Sequence, residues 1–138
     1  MSNALEERLG NLKASSAQVT ENDAYPAENG YASIVIVFSE GTRLRADYWR
    51  VIRGGRASIS SFDHNQIYGL PEPINAIDSL TKDLQGQFVT EASHDPETGD
   101  ILLIFTNNIK VQILNFTGYE IWEIHFPDGT GEYSNYAK

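Results

Sequence analysis

A carboxylate and an imidazole stand two residues apart near the end of the chain, at Glu123 and His125. The segment has strand character, and side chains two residues apart on a strand point to the same side. Such a pair can exchange protons or supply two ligands to a metal ion. The spacing shows no third ligand, and the same pattern is typical of a solvated strand face. We therefore assign no catalytic residue, no metal and no cofactor from it.

Glu120 lies just before this pair, and strand alternation predicts that its carboxylate shares a face with Trp122, Ile124 and Phe126. A carboxylate on an apolar face is either paired or has a raised pKa, and perturbed groups cluster at functional sites. Structural networks perturb pKa values too, so we expect a buried ion pair or backbone hydrogen bonds. An arginine from the first half of the chain is the expected partner.

Arginines are concentrated in one short stretch of a chain whose formal net charge is −9. The acidic balance repels phosphate groups, so we expect neither general nucleic-acid binding nor attraction to an anionic membrane. The stretch itself is typical of a mixed, solvated surface with cross-strand ion pairs, and the alternative is a site for a specific anionic partner. Its members are Arg43, Arg45, Arg50, Arg53 and Arg56.

Aromatic residues are a third group with functional potential. Tyrosine and tryptophan are enriched at protein interfaces, although aromatic residues more often belong to the core. The residues of interest are Tyr48, Trp49, Phe62, Tyr68, Tyr119, Trp122 and Phe126. The sequence contains no Ser-His-Asp elbow, no phosphate-binding glycine loop and no zinc signature.

The composition predicts a soluble, cytoplasmic domain with one core. The chain has 138 residues, near the usual length of a single domain. It contains no cysteine, which excludes disulfides and a cysteine nucleophile and fits a reducing compartment. Its longest apolar runs have the length of a strand, far short of a membrane span.

The elements that position these residues occur twice. The segment from Gln18 to Ile52 is similar to the segment from Gln87 to Ile124, with the apolar runs IVIVF and ILLIF at matching places. Leucines at helical spacing predict a helix over residues 4–13, and a second helix is predicted from Pro73 until Gly86. Duplicated units of this kind cover each other's apolar faces.

Turn-forming residues separate the predicted strands. A hairpin is expected at residues 25–30 and another at 94–100, and tight turns follow the two apolar runs. Gly41 and Asn108 are the residues of these turns that can adopt positive φ. A last edge strand is expected over residues 131–136.

We therefore predict an α+β, mostly β fold, in which a helix plus an antiparallel strand meander is internally duplicated. The chain is predicted to be a single domain, residues 1–138, built of two pseudo-repeats at about 4–62 and 73–136.

Several segments carry a resemblance to a known family, namely FSEGTRL, YWRVIRGG, SSFDHNQIYGLP, TGDILLIF and TGYEIWEIHFPDG. From about Ser33 onwards the chain resembles a family of small uncharacterised bacterial proteins, a domain of unknown function. Its most specific motif is Gly-Tyr-Glu-x-Trp, residues 118–122 here, followed by Pro-Asp-Gly at residues 127–129. The resemblance implies a bacterial cytoplasmic protein, encoded in some members near secreted toxins, and hence an immunity role. It implies no catalytic residue.

Two functions remain open on the sequence. The first is a non-enzymatic protein-binding domain, in its specific form a toxin-immunity protein, with an acidic surface that masks a basic partner. The alternative is a small-molecule binder or hydrolase that uses a cleft between the two repeats. A homodimer through an unpaired strand edge is a further expectation. The candidate partner or cleft residues are Arg43, Arg45, Trp49, Arg50, Tyr119, Glu120, Trp122, Glu123 and His125.

Overall fold

The computed structural model describes residues 4–28, 31–115 and 117–134. These residues form ten β-strands in two five-stranded antiparallel sheets, together with two short α-helices. The predicted α+β, mostly β fold is therefore confirmed. Residues 29 and 30 of the predicted first hairpin, and residues 135 and 136 of the predicted last strand, lie outside the described residues.

The elements follow each other in the same order in both halves of the chain. The first half contains α1 (Ala4–Leu9), β1 (Ala17–Glu21), β2 (Ile34–Phe38), β3 (Arg43–Ala46), β4 (Trp49–Arg53) and β5 (Arg56–Ser60). The second contains α2 (Ala76–Leu84), β6 (Val89–His94), β7 (Ile101–Phe105), β8 (Lys110–Ile113), β9 (Trp122–His125) and β10 (Gly131–Tyr133).

Both helices are shorter than the sequence predicts. The first ends at Leu9 and continues as a 3-10 turn through Leu12. The second begins at Ala76 rather than Pro73, because the Asn75 side chain accepts a hydrogen bond from the Asp78 backbone N–H at 2.9 Å and so caps the first turn.

Each sheet combines strands from both halves. Sheet 1 has the order β1-β2-β3-β9-β10, and sheet 2 has the order β5-β4-β8-β7-β6. The chain passes from sheet 1 to sheet 2 through only Asp47 and Tyr48, and returns through residues 114–121. Each half therefore contributes a three-stranded meander to one sheet and a hairpin to the other.

Matching hydrogen bonds recur at corresponding positions of the two halves. The indole N–H of Trp49 donates to the carbonyl oxygen of Ala32 at 2.8 Å, and that of Trp122 donates to Gly99 at 2.9 Å. The backbone N–H groups of the same tryptophans donate to serine hydroxyls, Ser61 at 3.3 Å and Ser134 at 3.1 Å. Corresponding residues of the two halves can therefore serve as matched controls for each other.

The core lies between the sheets and is closed by the helices. The residues of β2 and β7 alternate between fully and partly buried, and the inward-facing ones include Ile36 and Leu103, each 0% exposed. Helix α1 packs against β6 and helix α2 against β1, so each helix contacts the other half. Their buried leucines join the same cluster.

The two tight turns after the apolar strands behave as the sequence predicts. Gly41 has φ +112° and Asn108 has φ +64°, the left-handed conformation that glycine and asparagine tolerate best. Each turn joins two neighbouring strands of one sheet, β2 to β3 and β7 to β8. They set the register that directs Arg45 and Gln112 to the outer faces.

Candidate functional site: an acidic cleft on sheet 1

A polar cleft of about 470 Å³ opens where strand β3 of the first half meets strand β9 of the second. We call it the acidic cleft, because three carboxylates line it against one arginine. Its residues from the first half are Asn22, Ala24, Tyr25, Arg45 and Asp47, and those from the second half are Glu120 and Glu123.

Arg45 is the central cation of the cleft. Strand alternation buries its neighbours Leu44 and Ala46 in the core and turns Arg45 outward. One terminal nitrogen contacts both carboxylate oxygens of Asp47 at 2.9 Å, and Nε donates to Glu123 Oε1 at 3.1 Å. The register places Arg45 directly opposite Glu123. The Arg45 side chain is only 15% exposed and that of Asp47 only 10%, so this pair is largely withdrawn from water.

Asp47 is held by further hydrogen bonds from the same half. The Ser33 hydroxyl donates to Asp47 Oδ1 at 2.8 Å, and the Asn22 amide donates to the Ser33 oxygen at 3.0 Å. Tyr31 lies close to Asp47 as well. Burial, reinforced by the negative charge of Asp47, raises the pKa of Tyr31 to about 12.

The network continues along the outer face of β9. Glu123 Oε2 lies 3.3 Å from His125 Nε2, and His125 stands opposite Arg43 on β3. The predicted same-side placement of Glu123 and His125 is therefore confirmed. Glu123 also accepts a hydrogen bond from Arg45, so Glu123 and His125 belong to a structural ion-pair network.

The expected position of Glu120 on an apolar strand face is wrong. The sequence places it on the apolar face of a strand, but β9 begins only at Trp122 and Glu120 is exposed. The chain before the strand is a turn, and Ile121 is the residue that is buried there, at 5% exposure. Strand alternation does not extend back through the turn. Glu120 lines the cleft with Arg45, whose hydrogen bonds go instead to Asp47 and Glu123.

The cleft gathers three of the nine candidate residues, Arg45, Glu120 and Glu123. His125 and Arg43 lie beside it on the same outer face. Trp49 and Trp122 are 0% and 2% exposed and belong to the core. Arg50 lies on sheet 2, where its Nε donates to Gln112 Oε1 at 2.5 Å, and Tyr119 is 81% exposed next to Glu120.

Five residues of the site were missed by the sequence analysis, namely Asn22, Tyr25, Tyr31, Ser33 and Asp47. The first four come from the connection between β1 and β2, which has no periodic pattern. Asp47 could have been found, because it continues the alternation of Arg43 and Arg45. No sequence pattern indicates that Asp47, which lies one residue beyond the end of β3, is buried.

Aromatic side chains lead from the cleft to an exposed loop. The rings of Tyr31 and Tyr48 meet edge to face at 5.6 Å, and Tyr48 stacks on Phe62 at 5.4 Å. Phe62 is 46% exposed, and beyond it Ile67, Tyr68 and Leu70 are 53%, 66% and 49% exposed. Exposed apolar side chains clustered in this way mark interaction sites more often than isolated ones do. We call residues 62–70 the apolar loop.

The other two histidines have structural roles. His64 is buried, and its Nδ1 accepts a hydrogen bond from the Ala76 backbone N–H at 3.1 Å, at the start of α2. His94 packs edge to face on Trp122 at 6.0 Å, and burial lowers its pKa. In the described part of the chain no group of three acidic, histidine or cysteine residues is placed to hold a metal ion.

Comparison with protein-family models, curated proteins and solved structures finds no match for this chain. None of the helices in the described residues has the length and apolar character to cross a membrane. The functional argument therefore depends on the cleft and its surroundings. The cleft has more carboxylates than cations and can therefore attract a cation, and Tyr25 adds an exposed aromatic ring. The buried charges of Arg45 and Asp47 are already paired with each other.

Proposed function

We propose that this chain is a non-enzymatic protein-binding domain, and that a basic protein contacts its acidic cleft. One observation carries the proposal: Arg45 and Asp47 neutralise each other inside the cleft, while Glu120 and Tyr25 are exposed in its lining. Tyr119 is exposed next to Glu120 in the chain, and we call Tyr25 and Tyr119 the rim. A lysine or arginine of the partner would meet Glu120, because Arg45 is bonded to the other two carboxylates of the cleft, Asp47 and Glu123. Tyrosine rims of this kind are common at protein interfaces, since the ring is apolar and the hydroxyl tolerates water.

The charge of the whole chain supports the same partner. A net charge of −9 attracts a basic protein over a distance and raises its association rate at low salt. The resemblance to bacterial proteins encoded near secreted toxins supports a specific form of the proposal, a toxin-immunity protein. The absence of cysteine fits a reducing compartment, so we infer that this protein acts in the cytoplasm.

The apolar loop would extend the same interface. The Tyr68 hydroxyl donates to Asp63 Oδ1 at 3.0 Å. The Asn65 backbone N–H donates to the Ile74 carbonyl oxygen and the Ile74 N–H donates to that of Gln66, which closes the base of the loop. The loop is therefore held in place, so little ordering entropy is lost on binding. The aromatic rings from Tyr31 to Phe62 make the surface continuous with the cleft.

A small-molecule binder or hydrolase remains the second candidate. The cleft is built from both repeats and has a volume within the usual range of ligand pockets, about 300 to 1,000 Å³. Its lining favours a cationic ligand. Two of the four edge strands, β5 and β10, disfavour self-association through a strand edge, because β5 contains a bulge and Arg56, and β10 spans three described residues. A bulge with a charged residue, and a very short strand, both hinder pairing of an edge with another strand.

Site-specific photo-crosslinking tests the proposal. Benzoylphenylalanine is introduced at Tyr25 or Tyr119 on the rim, and as a control at Phe88, which is 47% exposed at the opposite end of β1 from Asn22. The purified variants are incubated with lysate of the source cells and with the products of neighbouring genes. We expect one basic protein to crosslink at the rim positions and not at Phe88.

Two further variants separate the candidates. Glu120→Gln should lower the crosslinking yield, whereas Glu97→Gln, an exposed acid in the turn between β6 and β7, should not. Native mass spectrometry of the purified protein would reveal a small molecule. A ligand lost in Glu120→Gln, without any protein crosslink at the rim, would favour the second candidate over the first.

A further inference from the structure

A single connection joins the two halves of the chain, residues 61–75 between β5 and α2. Its two arms are bonded to each other. The Asn65 backbone N–H donates to the Ile74 carbonyl oxygen at 2.7 Å, and the Ile74 N–H donates to that of Gln66 at 2.9 Å. Each of these bonds therefore joins the arm of the first half to the arm of the second.

A tight turn over residues 67–70 closes the connection. The Leu70 N–H donates to the Ile67 carbonyl oxygen at 2.8 Å, and the central residues Tyr68 and Gly69 have φ +47° and +78°. The first central position of such a turn is usually glycine, asparagine or aspartate, because a bulky side chain is strained at positive φ. Strain of this kind shifts an equilibrium by a factor of about 5 to 30. The closed turn therefore holds Tyr68 in an unfavourable conformation.

The contacts of Tyr68 do little to offset this strain. Tyr68 is 66% exposed, and its hydrogen bond to Asp63 is exposed as well and so contributes little to stability. Ile67 and Leu70 at the ends of the turn are 53% and 49% exposed. The closed turn thus combines backbone strain with three apolar side chains that stay largely in water.

We infer that two copies of this chain exchange their halves, forming a domain-swapped dimer that opens at Tyr68. Each first half would pair with the second half of the other copy through the contacts of the monomer, β3 with β9 and β4 with β8. The arms keep their bonds, because these join a first half to a second half in either case. Only the turn opens. Residues 67–73 would then run between the two lobes over at most about 24 Å, and Pro71 and Pro73 favour the extended backbone that this requires.

The dimer removes both unfavourable features of the turn. The strain at Tyr68 is relieved in each copy, and the two opened segments run side by side between the lobes, where their apolar side chains cover each other. Closure within one chain corresponds to a local concentration in the millimolar range. Because the strain is relieved twice per dimer, the dimer should be populated well below that range.

Exchange would also divide the acidic cleft between two copies. Each cleft would take Arg45 and Asp47 from one copy and Glu120 and Glu123 from the other. Its geometry stays the same, so this inference goes beyond the proposed function and is independent of it.

Refolding at two concentrations tests the inference with the full chain. The protein is unfolded in urea and refolded at about 0.5 mM, near the local concentration within one chain, and at an about thousandfold lower concentration. Gel filtration with light scattering should show a dimer after the first treatment and largely monomer after the second.

Introduced cysteines show whether the halves have exchanged, since the chain has no cysteine of its own. Arg43 and His125 stand opposite each other on β3 and β9, and Cα atoms of such residues lie about 4.5 to 5.5 Å apart, which suits a disulfide. The variants Arg43→Cys and His125→Cys, one with a mass tag, are refolded together at the higher concentration and oxidised. We expect a disulfide between the two different chains. Variants refolded separately at the lower concentration and then mixed should form none, and the double variant should close the disulfide within one chain.

Glycine variants test the contribution of the strain. Tyr68→Gly should lower the dimerisation constant at least about tenfold, because the turn then closes without strain. Tyr68→Ala loses the ring but keeps Cβ, and should dimerise more strongly than Tyr68→Gly. Ala14→Gly is the matched control, since Ala14 also has a positive φ, +68°, but lies between α1 and β1 within one half. It should leave the dimerisation constant unchanged.

Three results would overturn the inference. One is a monomer after refolding at the higher concentration. The second is a dimer without a disulfide between the two different chains, which would mean that the copies meet through their surfaces. The third is an equal change of the dimerisation constant in Tyr68→Gly and Ala14→Gly.

Discussion

Arg45 and Arg50 occupy matching cross-strand positions but lie in different environments. Arg45 on β3 faces Glu123 on β9, and Arg50 on β4 faces Gln112 on β8. In both pairs the cation comes from the first half. The Arg45 side chain is 15% exposed and bound to two carboxylates, while Arg50 is exposed and bound to an amide. Removing Arg45 should therefore lower the free energy of unfolding more than removing Arg50.

Arg45→Ala is expected to lower the free energy of unfolding by about 2 to 3 kcal/mol, because Asp47 is left as a largely buried charge without its cation. Arg50→Ala should cost less than about 1 kcal/mol, since an exposed hydrogen bond contributes little. Urea unfolding monitored by tryptophan fluorescence measures both. Replacing Arg45 and Asp47 together by Met and Asn should recover part of the loss, and equal costs for the two arginines would contradict the assignment.

Tyr31 should give the clearest signal in a pH titration. Its pKa is raised to about 12, so the fold favours the neutral phenol. The resulting stabilisation is complete below the ordinary tyrosine pKa of 10.0 and is lost as the pH rises from there towards 12. Tyrosinate absorbance should show a late transition that loses the amplitude of one tyrosine in Tyr31→Phe. Tyr68 contributes to the remainder, because its hydrogen bond to Asp63 raises its pKa. Tyr119→Phe serves as the control and should leave this transition in place.

Among the elements, α1 depends most on its contacts. A helix of six residues is not stable alone, and α1 is held through Leu5 and Leu9 and through Arg8. The Arg8 guanidinium lies 3.7 Å from the centre of the Phe126 ring and donates to Asp128 at 3.0 Å. Hydrogen bonds from Thr130, with the charge of Arg8, lower the pKa of Asp128. These contacts tie α1 to the turn between β9 and β10.

Arg8→Ala should loosen α1 without unfolding the sheets. Amide hydrogen exchange should become several-fold faster in residues 4–12 and remain unchanged in β2 and β7, because only the local opening equilibrium changes. Lys13→Ala, a nearby basic residue that makes no ion pair among the described residues, is the matched control. Faster exchange throughout the core would instead mean that Arg8 contributes to global stability.

At the scale of the whole molecule, the main feature is that the halves interlock. Each sheet takes three strands from one half and two from the other, and each helix packs against the opposite half. The first strands also meet directly, since Ser16 and Phe88 form an antiparallel bridge. Neither half can complete a sheet or bury its helix by itself.

The halves should therefore fold only together. A chain divided in the exposed loop, into residues 1–68 and 69–138, should give fragments that lack the circular dichroism of sheets when separate and regain it when mixed. The complex should run as one species on gel filtration. A stable fold of either fragment alone would contradict this prediction.

The sequence by itself determined the local features. The apolar runs of β2 and β7, the alternation of β3 and β8, and the turns at Gly41 and Asn108 all follow from interactions between residues close together in the chain. The resemblance between the two segments indicated the repeated order of elements. These features were predictable because side-chain period and positive φ are properties of a few neighbouring residues.

Only the tertiary structure decided which strands pair across the halves. Pairing of β3 with β9 brings Arg45 to Glu123 across 78 positions of sequence and closes the acidic cleft. The same pairing separates the arginine stretch, with Arg45 on one sheet and Arg50 on the other. Whether Asp47 is buried and Glu120 exposed depends on where the chain crosses between the sheets. Such long-range contacts are set by the packing of the whole core, which leaves no periodic trace in the sequence.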